Sequence, residues 1–239
     1  MARGKSKSIP VDEIINQIKQ YESMGYNEVV LTGIHLGTYG LDLKPKKSLP
    51  LLLKNILIST RISRIRLSSL EIREINEGLL EVITGGRICN HFHIPLQSGD
   101  DNILKLMNRM YSVKDFISGI ERILKIFPDV SIGTDVIAGF PGEGEPEFKN
   151  TEQVIRAIPF SYLHVFPYSR RPKTKAIELS GEVAEPLKKE RAAVLREIGT
   201  AKKISYIKKN LGKTLDAIIE KRVKEGLLGT TGNYIKILI

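Results

Sequence analysis

Cysteine is nearly absent from this chain: Cys89 is the only one among 239 residues. One thiol excludes an internal disulfide framework, and any cysteine-rich metal site supplied by this sequence alone. Set between Ile88 and Asn90 at an expected strand entrance, it reads as a buried structural thiol rather than a reactive one. Long hydrophobic runs are missing too. No apolar stretch reaches the roughly 18 residues that suggest a membrane span. The opening MARGKSKSIP is basic without an apolar core, so no secretory signal is supported and a cytoplasmic location is expected. The hydrophobic content, 41%, is ordinary for a globular protein. The chain is long enough for one large domain, or one plus a small appendage.

Acidic residues are outnumbered: 27 against 37 basic ones leave a net charge of +10. Such an excess favours an anionic partner, nucleic acid first, through phosphate neutralisation. Basic residues gather at Arg170–Lys175, Lys188–Arg191 and Lys202–Lys209. A lysine-rich surface kept for solubility or thermal stability is the alternative.

Hydrophobic spacing predicts alternating helices and strands. Helices are expected over Val11–Met24, Leu49–Ser59, Arg73–Thr84, Asp101–Arg109, Val113–Phe127 and Pro146–Ala157. Strands are expected at Glu28–Thr32, Arg64–Ser68, His91–Ile94, Ser131–Ala138 and Tyr162–Val165. This is an α/β pattern with parallel strands and outer helices, each strand preceded by a helix, as in a (β/α) barrel whose first strand is missing. Leu187–Leu211 reads as a long basic helix, and from Gly212 the pattern turns to short strands, the start of a small β-barrel. Two or three such strands cannot bury a core unaided.

In folds of this class ligands sit at the C-terminal ends of the strands. The first strand exit, LTGIHLGTYG, offers three glycines for close backbone approach, and His35 as donor, acceptor or cap. The second, RLSSLE, places Ser68, Ser69 and Glu71 either for a sugar diol or as a helix cap, and spacing leaves both open. In the third, HFHIPLQSGDD, Gln97 and Ser98 follow the strand and Asp100 or Asp101 can cap the next helix. His91 and His93 share one strand face there. Paired imidazoles suggest a metal, but no third ligand lies nearby in sequence, and polar lining of the sheet is preferred; no metal ligand is assigned. The fourth, IGTDVIAGFPGE, has Asp135 in an apolar strand, where a carboxylate needs a partner. The fifth, HVFPYSRR, offers Tyr168 and Arg170 for stacking or phosphate contact, or for covering the sheet end.

Taken in order, ARGKSKS, LTGIHLGTYG, RLSSLE, HFHIPLQSG with MNRMY, IGTDVIAGFPGE and FSYLHVFPYS resemble the radical S-adenosylmethionine methylthiotransferases over essentially the whole chain. RLSSLE and HFHIPLQSG point to the MtaB-type branch, which modifies threonylcarbamoyladenosine beside the anticodon of tRNA. The resemblance implies a partial (β/α)6 radical-SAM barrel over residues 1–210 and an incomplete TRAM-like RNA-binding β-domain over residues 211–239. It implies S-adenosylmethionine as cofactor. Thr32, Gly33 and His35 would lie near its methionine, Ser69 and Glu71 at its ribose, and Asp135, Ile137 and Gly139 along its adenosine. Gln97 would line the cavity between cofactor and substrate, and Arg109, Tyr168 and Arg170 are candidate RNA contacts. Family members carry two [4Fe–4S] clusters, one on a CxxxCxxC loop, and this chain supplies ligands for neither. It therefore reads as a fragment that is inactive by itself, with no catalytic residue of its own assigned and the sulfur donor unspecified. Ile72 stands where the family has proline, Lys173 where it has glycine, and GEGEPEF replaces GETEEDF. Two other readings remain: a non-catalytic tRNA- or nucleotide-binding module, and an unrelated barrel enzyme using His35, Glu71 or Asp135 as acid or base.

Overall fold

A computed structural model describes residues 6–239; Ala2–Lys5 of the ARGKSKS segment lie outside them. The chain forms two compact units. One runs to Phe92 and takes in Thr214–Ile239, and the other is His93–Lys213.

In the first unit, helix α1 (Val11–Ser23) buries Ile15 and Ile18 and stops at Gly25, whose φ of 85° reverses the chain. Strand β1 (Glu28–Leu31) follows. Helix α2 (Leu49–Ser59) starts where the Ser48 hydroxyl accepts the Leu51 amide, with Pro50 in the first turn. Strand β2 (Arg64–Leu67) pairs in parallel with β1, Val29 opposite Ile65 and Leu31 opposite Leu67. The helix expected over Arg73–Thr84 is shorter. A 3-10 turn at Ile72–Glu74 precedes helix α3 (Glu77–Ile83), because Asn76 is extended and caps the Leu79 amide with its side chain. Leu52, Leu53, Ile56, Ile65, Leu79 and Leu80 are each at most 2% exposed and form this unit's core. Burial of each contributes about 1.5–3 kcal/mol.

The C-terminal strands β6 (Ala217–Val223), β7 (Gly226–Thr231) and β8 (Lys236–Leu238) make an antiparallel sheet in sequence order. Alone they would be too few to hold together, and β2 supports them. Arg64 donates to the carbonyls of Asp216 and Thr230, and Arg66 to those of Thr231 and Gly232.

Strand β3 (His91–His93) leads into the second unit, where helix α4 (Asp101–Leu106), helix α5 (Val113–Ile126), strand β4 (Ser131–Ala138), helix α6 (Glu145–Ala157), strand β5 (Tyr162–Pro167) and helix α7 (Glu185–Lys209) follow. The sheet order is β3-β4-β5, and β4 and β5 run parallel with Asp135 opposite His164. Along β4, Ile132, Thr134, Val136 and Ala138 are fully buried, so Gly133, Asp135 and Ile137 point to the opposite face.

Helix α7 changes the reading of the charge. Lys188 and Arg191 are buried, not part of an external basic patch, because positions 188, 191, 192, 195, 198 and 199 form the inward stripe of this helix. Lys188 Nζ lies 2.6 Å from Glu185, and Arg191 pairs with Glu143 at 3.0 Å. Lys202 caps the end of α6 by donating to the carbonyls of Arg156 and Ile158, and burial lowers its pKa. Lys209 and Lys213 hold Asp129. Among the described residues no helix is long and apolar enough to cross a membrane.

Candidate functional site

In the first unit the chain leaves β1 through exposed Thr32, Gly33, Ile34 and His35. A cavity of about 630 Å³ opens there, lined by Thr32, Gly33, His35, Gln17 and Tyr39 among others. That volume falls in the range of small-molecule sites, roughly 300–1,000 Å³. His35 precedes a 3-10 turn at Leu36–Thr38 without capping it; its carbonyl accepts the Thr38 hydroxyl at 2.8 Å. A Cβ on Gly37 would stand 2.3 Å from that of Glu74, so glycine is what lets the first exit pack on the second.

At the second exit Ser69 is exposed, and the buried Ser68 hydroxyl has no hydrogen-bond partner. Glu71 caps the Ile72–Glu74 turn reciprocally: its side chain takes the Glu74 amide, and its own amide donates to Glu74 Oε2 at 3.0 Å. The capping alternative is thus realised, by Glu71 itself rather than by a serine. Ser69 and Glu71 lie outside the lining of the Thr32 cavity.

The third exit belongs to the second unit. Gln97 has φ 67°, a left-handed conformation that non-glycine residues adopt at a cost of roughly 1–3 kcal/mol. Two main-chain bonds to β4 hold it there, from its amide to Asp135 O and from the Ile137 amide to its carbonyl. Asp100 caps α4 through the Asn102 and Ile103 amides, while Asp101 accepts the Val113 amide. The Tyr111 hydroxyl lies 3.1 Å from both the Pro95 and Leu96 carbonyls, fastening the MNRMY helix end to the strand exit.

Asp135 has the partner its apolar strand demands, in fact two. His93 Nε2 stands 3.0 Å and His164 Nδ1 3.1 Å from the same oxygen, Oδ1. Burial alone would raise its pKa; hydrogen bonding and charge from His93, then from His164, outweigh that and hold it below the usual carboxylate value. On the other side of the His93 ring, Nδ1 is 3.1 Å from the Tyr162 hydroxyl. Gly133 makes room for that tyrosine, since a Cβ would fall 2.0 Å from Tyr162 Cζ.

Ile137 and Arg109 come together in the lining of a second cavity of about 830 Å³, with Lys105, Lys175 and Phe140. Gly139, at φ 75°, donates its amide to Glu143 Oε1 at 2.8 Å, and Lys188 Cγ occupies the space a side chain would need. Burial, the leading cause, raises the pKa of Glu143, although the Gly139 amide and Arg191 oppose it. Tyr168 lies edge-on to Phe140 at 5.1 Å with Lys188 Nζ 5.5 Å over its ring, and its buried hydroxyl is unpartnered. Arg170 is exposed, but its charge is matched by Glu182 at 3.0 Å. Lys173 holds the turn that glycine would make, at φ 66°.

Sequence reasoning missed His164 as a partner of Asp135, Tyr162 as a partner of His93, and Lys188, Glu143 and Arg191 as a buried polar set. For His164 a signal existed: the alternation of Tyr162, His164 and Phe166 puts all three on one strand face.

The Radical SAM superfamily model matches residues 1–155, and the chain belongs to that superfamily. The E. coli coproporphyrinogen III oxidase HemN, a radical SAM enzyme, shares the fold with a TM-score of 0.59 at 18% identity, over 79% of this chain and 45% of its own. Within the superfamily, the chain is 42% identical over 237 residues to the threonylcarbamoyladenosine tRNA methylthiotransferase MtaB of Aquifex aeolicus, covering 99% of this chain and 56% of that protein. For MtaB of Rickettsia prowazekii the identity is 40% over 237 residues, covering 98% and 55%. The chain spans about half the length of the curated relatives it matches.

Proposed function

We propose that this chain is the S-adenosylmethionine-handling part of a tRNA methylthiotransferase acting at C2 of N6-threonylcarbamoyladenosine beside the anticodon. The observation that carries this reading is the alignment of nearly the whole chain with Aquifex MtaB at 42% identity. In the first unit, the cavity at Thr32, Gly33 and His35 and the orphaned Ser68 hydroxyl suit a small polar ligand. Thr32, Gly33 and His35 would take the methionine end of S-adenosylmethionine, and Ser69 and Glu71 its ribose. In the second unit, Asp135, Ile137 and Gly139 would flank the adenosine, with Gln97 facing the substrate. When bound, this cofactor supplies the radical that removes the hydrogen from the substrate carbon.

An iron–sulfur cluster does not fit the residues present. Clusters are held by sets of cysteine thiolates, and Cys89 is single and buried. Burial pushes its thiol up to about 12, although Arg66 pulls the other way. Two [4Fe–4S] clusters in the whole enzyme would therefore be held by other residues, and this polypeptide alone would be inactive. Residues 1–210 would form the radical-SAM domain and 211–239 a TRAM-like element for tRNA, with Arg109, Tyr168 and Arg170 as further RNA contacts and the cytoplasm as the place of action.

Two measurements test this. S-adenosylmethionine and an anticodon stem–loop carrying N6-threonylcarbamoyladenosine should each bind, the RNA losing affinity as salt rises from roughly 50 to 200 mM. After incubation with iron and sulfide the chain should release no 5′-deoxyadenosine; release would overturn the placement of the clusters elsewhere. The lone buried cysteine favours a second reading, a tRNA-binding module without chemistry. It would bind the stem–loop but not S-adenosylmethionine.

A further inference from the structure

Three strands of the second unit set a histidine, an aspartate and a histidine side by side. His93 ends β3, Asp135 lies within β4, and His164 stands opposite Asp135 on β5. Neighbouring strands lie about 4.8 Å apart and their side chains alternate between faces, so a row of this kind converges on one face. One ligand atom from each residue lies within 4.8 Å of the others. The two imidazole nitrogens reach the same carboxylate oxygen, at 3.0 and 3.1 Å. Tyr162 adds an outer partner: its hydroxyl stands beside His93 Nδ1 and can accept a proton held there once Nε2 gives its lone pair to a metal. Ligating histidines in metal sites are commonly fixed in this way through the other ring nitrogen.

We propose that His93, Asp135 and His164 form a binding site for a divalent first-row transition-metal ion. Two imidazoles and one carboxylate are three protein ligands, a set that leaves coordination positions open. With metal–ligand bonds of about 2.0–2.2 Å, tetrahedral donors lie roughly 3.3–3.5 Å apart. The two nitrogen–oxygen separations need to open by only a few tenths of an ångström. Without metal, imidazole N–H groups donate to Oδ1. With metal, the His164 proton moves from Nδ1 to Nε2, any second imidazole proton goes to solvent, and nothing is oxidised or reduced. The His164 side chain is 54% exposed and gives the ion its way in. The site uses no thiol and stands whether or not the chain handles S-adenosylmethionine.

Zinc is the probe, titrated into the full metal-free chain in a non-chelating buffer against a chromogenic competitor, with bound metal counted after gel filtration. The expected result is one zinc per chain, with affinity falling as pH drops because protons compete for the ligands. His164→Ala and Asp135→Asn should each abolish stoichiometric binding, and Tyr162→Phe should weaken it about 10-fold. Both His35→Ala and Cys89→Ser should bind as the unsubstituted chain does. His164 is half exposed, so the unfolding midpoint of His164→Ala without metal should be unchanged. If that variant nonetheless unfolds, Co²⁺ decides on the unsubstituted chain: visible bands of a tetrahedral or five-coordinate nitrogen–oxygen site support the proposal, and an octahedral aquo-like spectrum overturns it. No stoichiometric zinc on the unsubstituted chain, or equal zinc on folded His164→Ala, also overturns it.

Discussion

Both parallel sheets carry polar residues in mid-strand on one face, and they treat them in opposite ways. On the β1–β2 face, Arg66 binds Glu28 through two nitrogens, at 2.8 and 3.1 Å, and Arg64 reaches it at 3.4 Å. The guanidinium groups spend their remaining donors on carbonyls of Asp216, Thr230, Thr231 and Gly232, and Tyr234 covers Arg66 with its ring centroid 5.1 Å away. On the β4–β5 face, Asp135 is matched only by imidazoles among the described residues, and His164 and Phe166 are left half exposed. A polar residue in a strand is therefore a poor marker of a site. The informative quantity is whether it can be reached from outside the protein. By that measure the first face is closed, whereas on the second the His164 side chain is 54% exposed.

The largest effect should come from the closed face. Arg66→Ala leaves Glu28 largely buried with only long contacts to Arg64 at 3.4 Å and the Cys89 thiol at 3.9 Å among the described residues, and removes two donors from the C-terminal turn. Breaking such a pair on one side costs about 3–5 kcal/mol, to be read from urea unfolding, while zinc uptake at the open face stays the same. A loss below about 1 kcal/mol would mean that the two faces do not differ in this respect. Next comes Gly133→Ala. The added methyl must displace Tyr162, an overpacking cost of about 1–3 kcal/mol, and the lost hydroxyl contact should weaken zinc binding as Tyr162→Phe does. Unchanged stability would show that the tyrosine is loosely held.

How much of this was legible depended on range. Strand β4 and helix α2 were readable to the residue, because their hydrophobic periods are unbroken and Ser48 and Pro50 mark the helix start. The stop at Asn76 was not, since the apolar spacing of Ile72, Ile75, Leu79 and Leu80 continues through the capping residue. Lys173, standing where the family has glycine, still takes a φ of 66°, because a lysine can be held at positive φ by its surroundings. Thr32, Gly33 and His35 share a cavity because they are local in sequence. The Asp135 cluster draws on positions 93, 135, 162 and 164, and no short-range pattern announces such a row. Lys188 and Arg191 were misread for the same reason, since Tyr168 beside Lys188 and Glu143 beside Arg191 lie on other elements.

Backbone strain beside the open face gives a smaller and opposite effect. Gln97→Gly should raise stability by about 0.5–1 kcal/mol, because glycine adopts φ 67° freely while adding some entropy to the unfolded chain. Thermal unfolding reads this directly. A drop instead would mean that the Gln97 side chain contributes more to packing than its conformation costs.

The smallest effect is the most diagnostic. With a chelator present, Asp135→Asn should cost about 1 kcal/mol or less at pH 7, since the carboxylate is partly exposed and its partners are imidazoles. The pKa of Asp135 in the folded chain lies below its unfolded value, about 3.9. The ionised group thus contributes fully above the unfolded value and loses that contribution as pH falls through the folded one. The gap between the two proteins should hold from pH 7 to about 5, narrow below about pH 4, and close at the acid end of the titration. A gap that changes near neutrality, with the unsubstituted chain gaining stability as its carboxyl takes up a proton, would mean that desolvation outweighs the imidazoles. Asp135 would then be a buried acid like Glu143, and the second face would be as closed as the first.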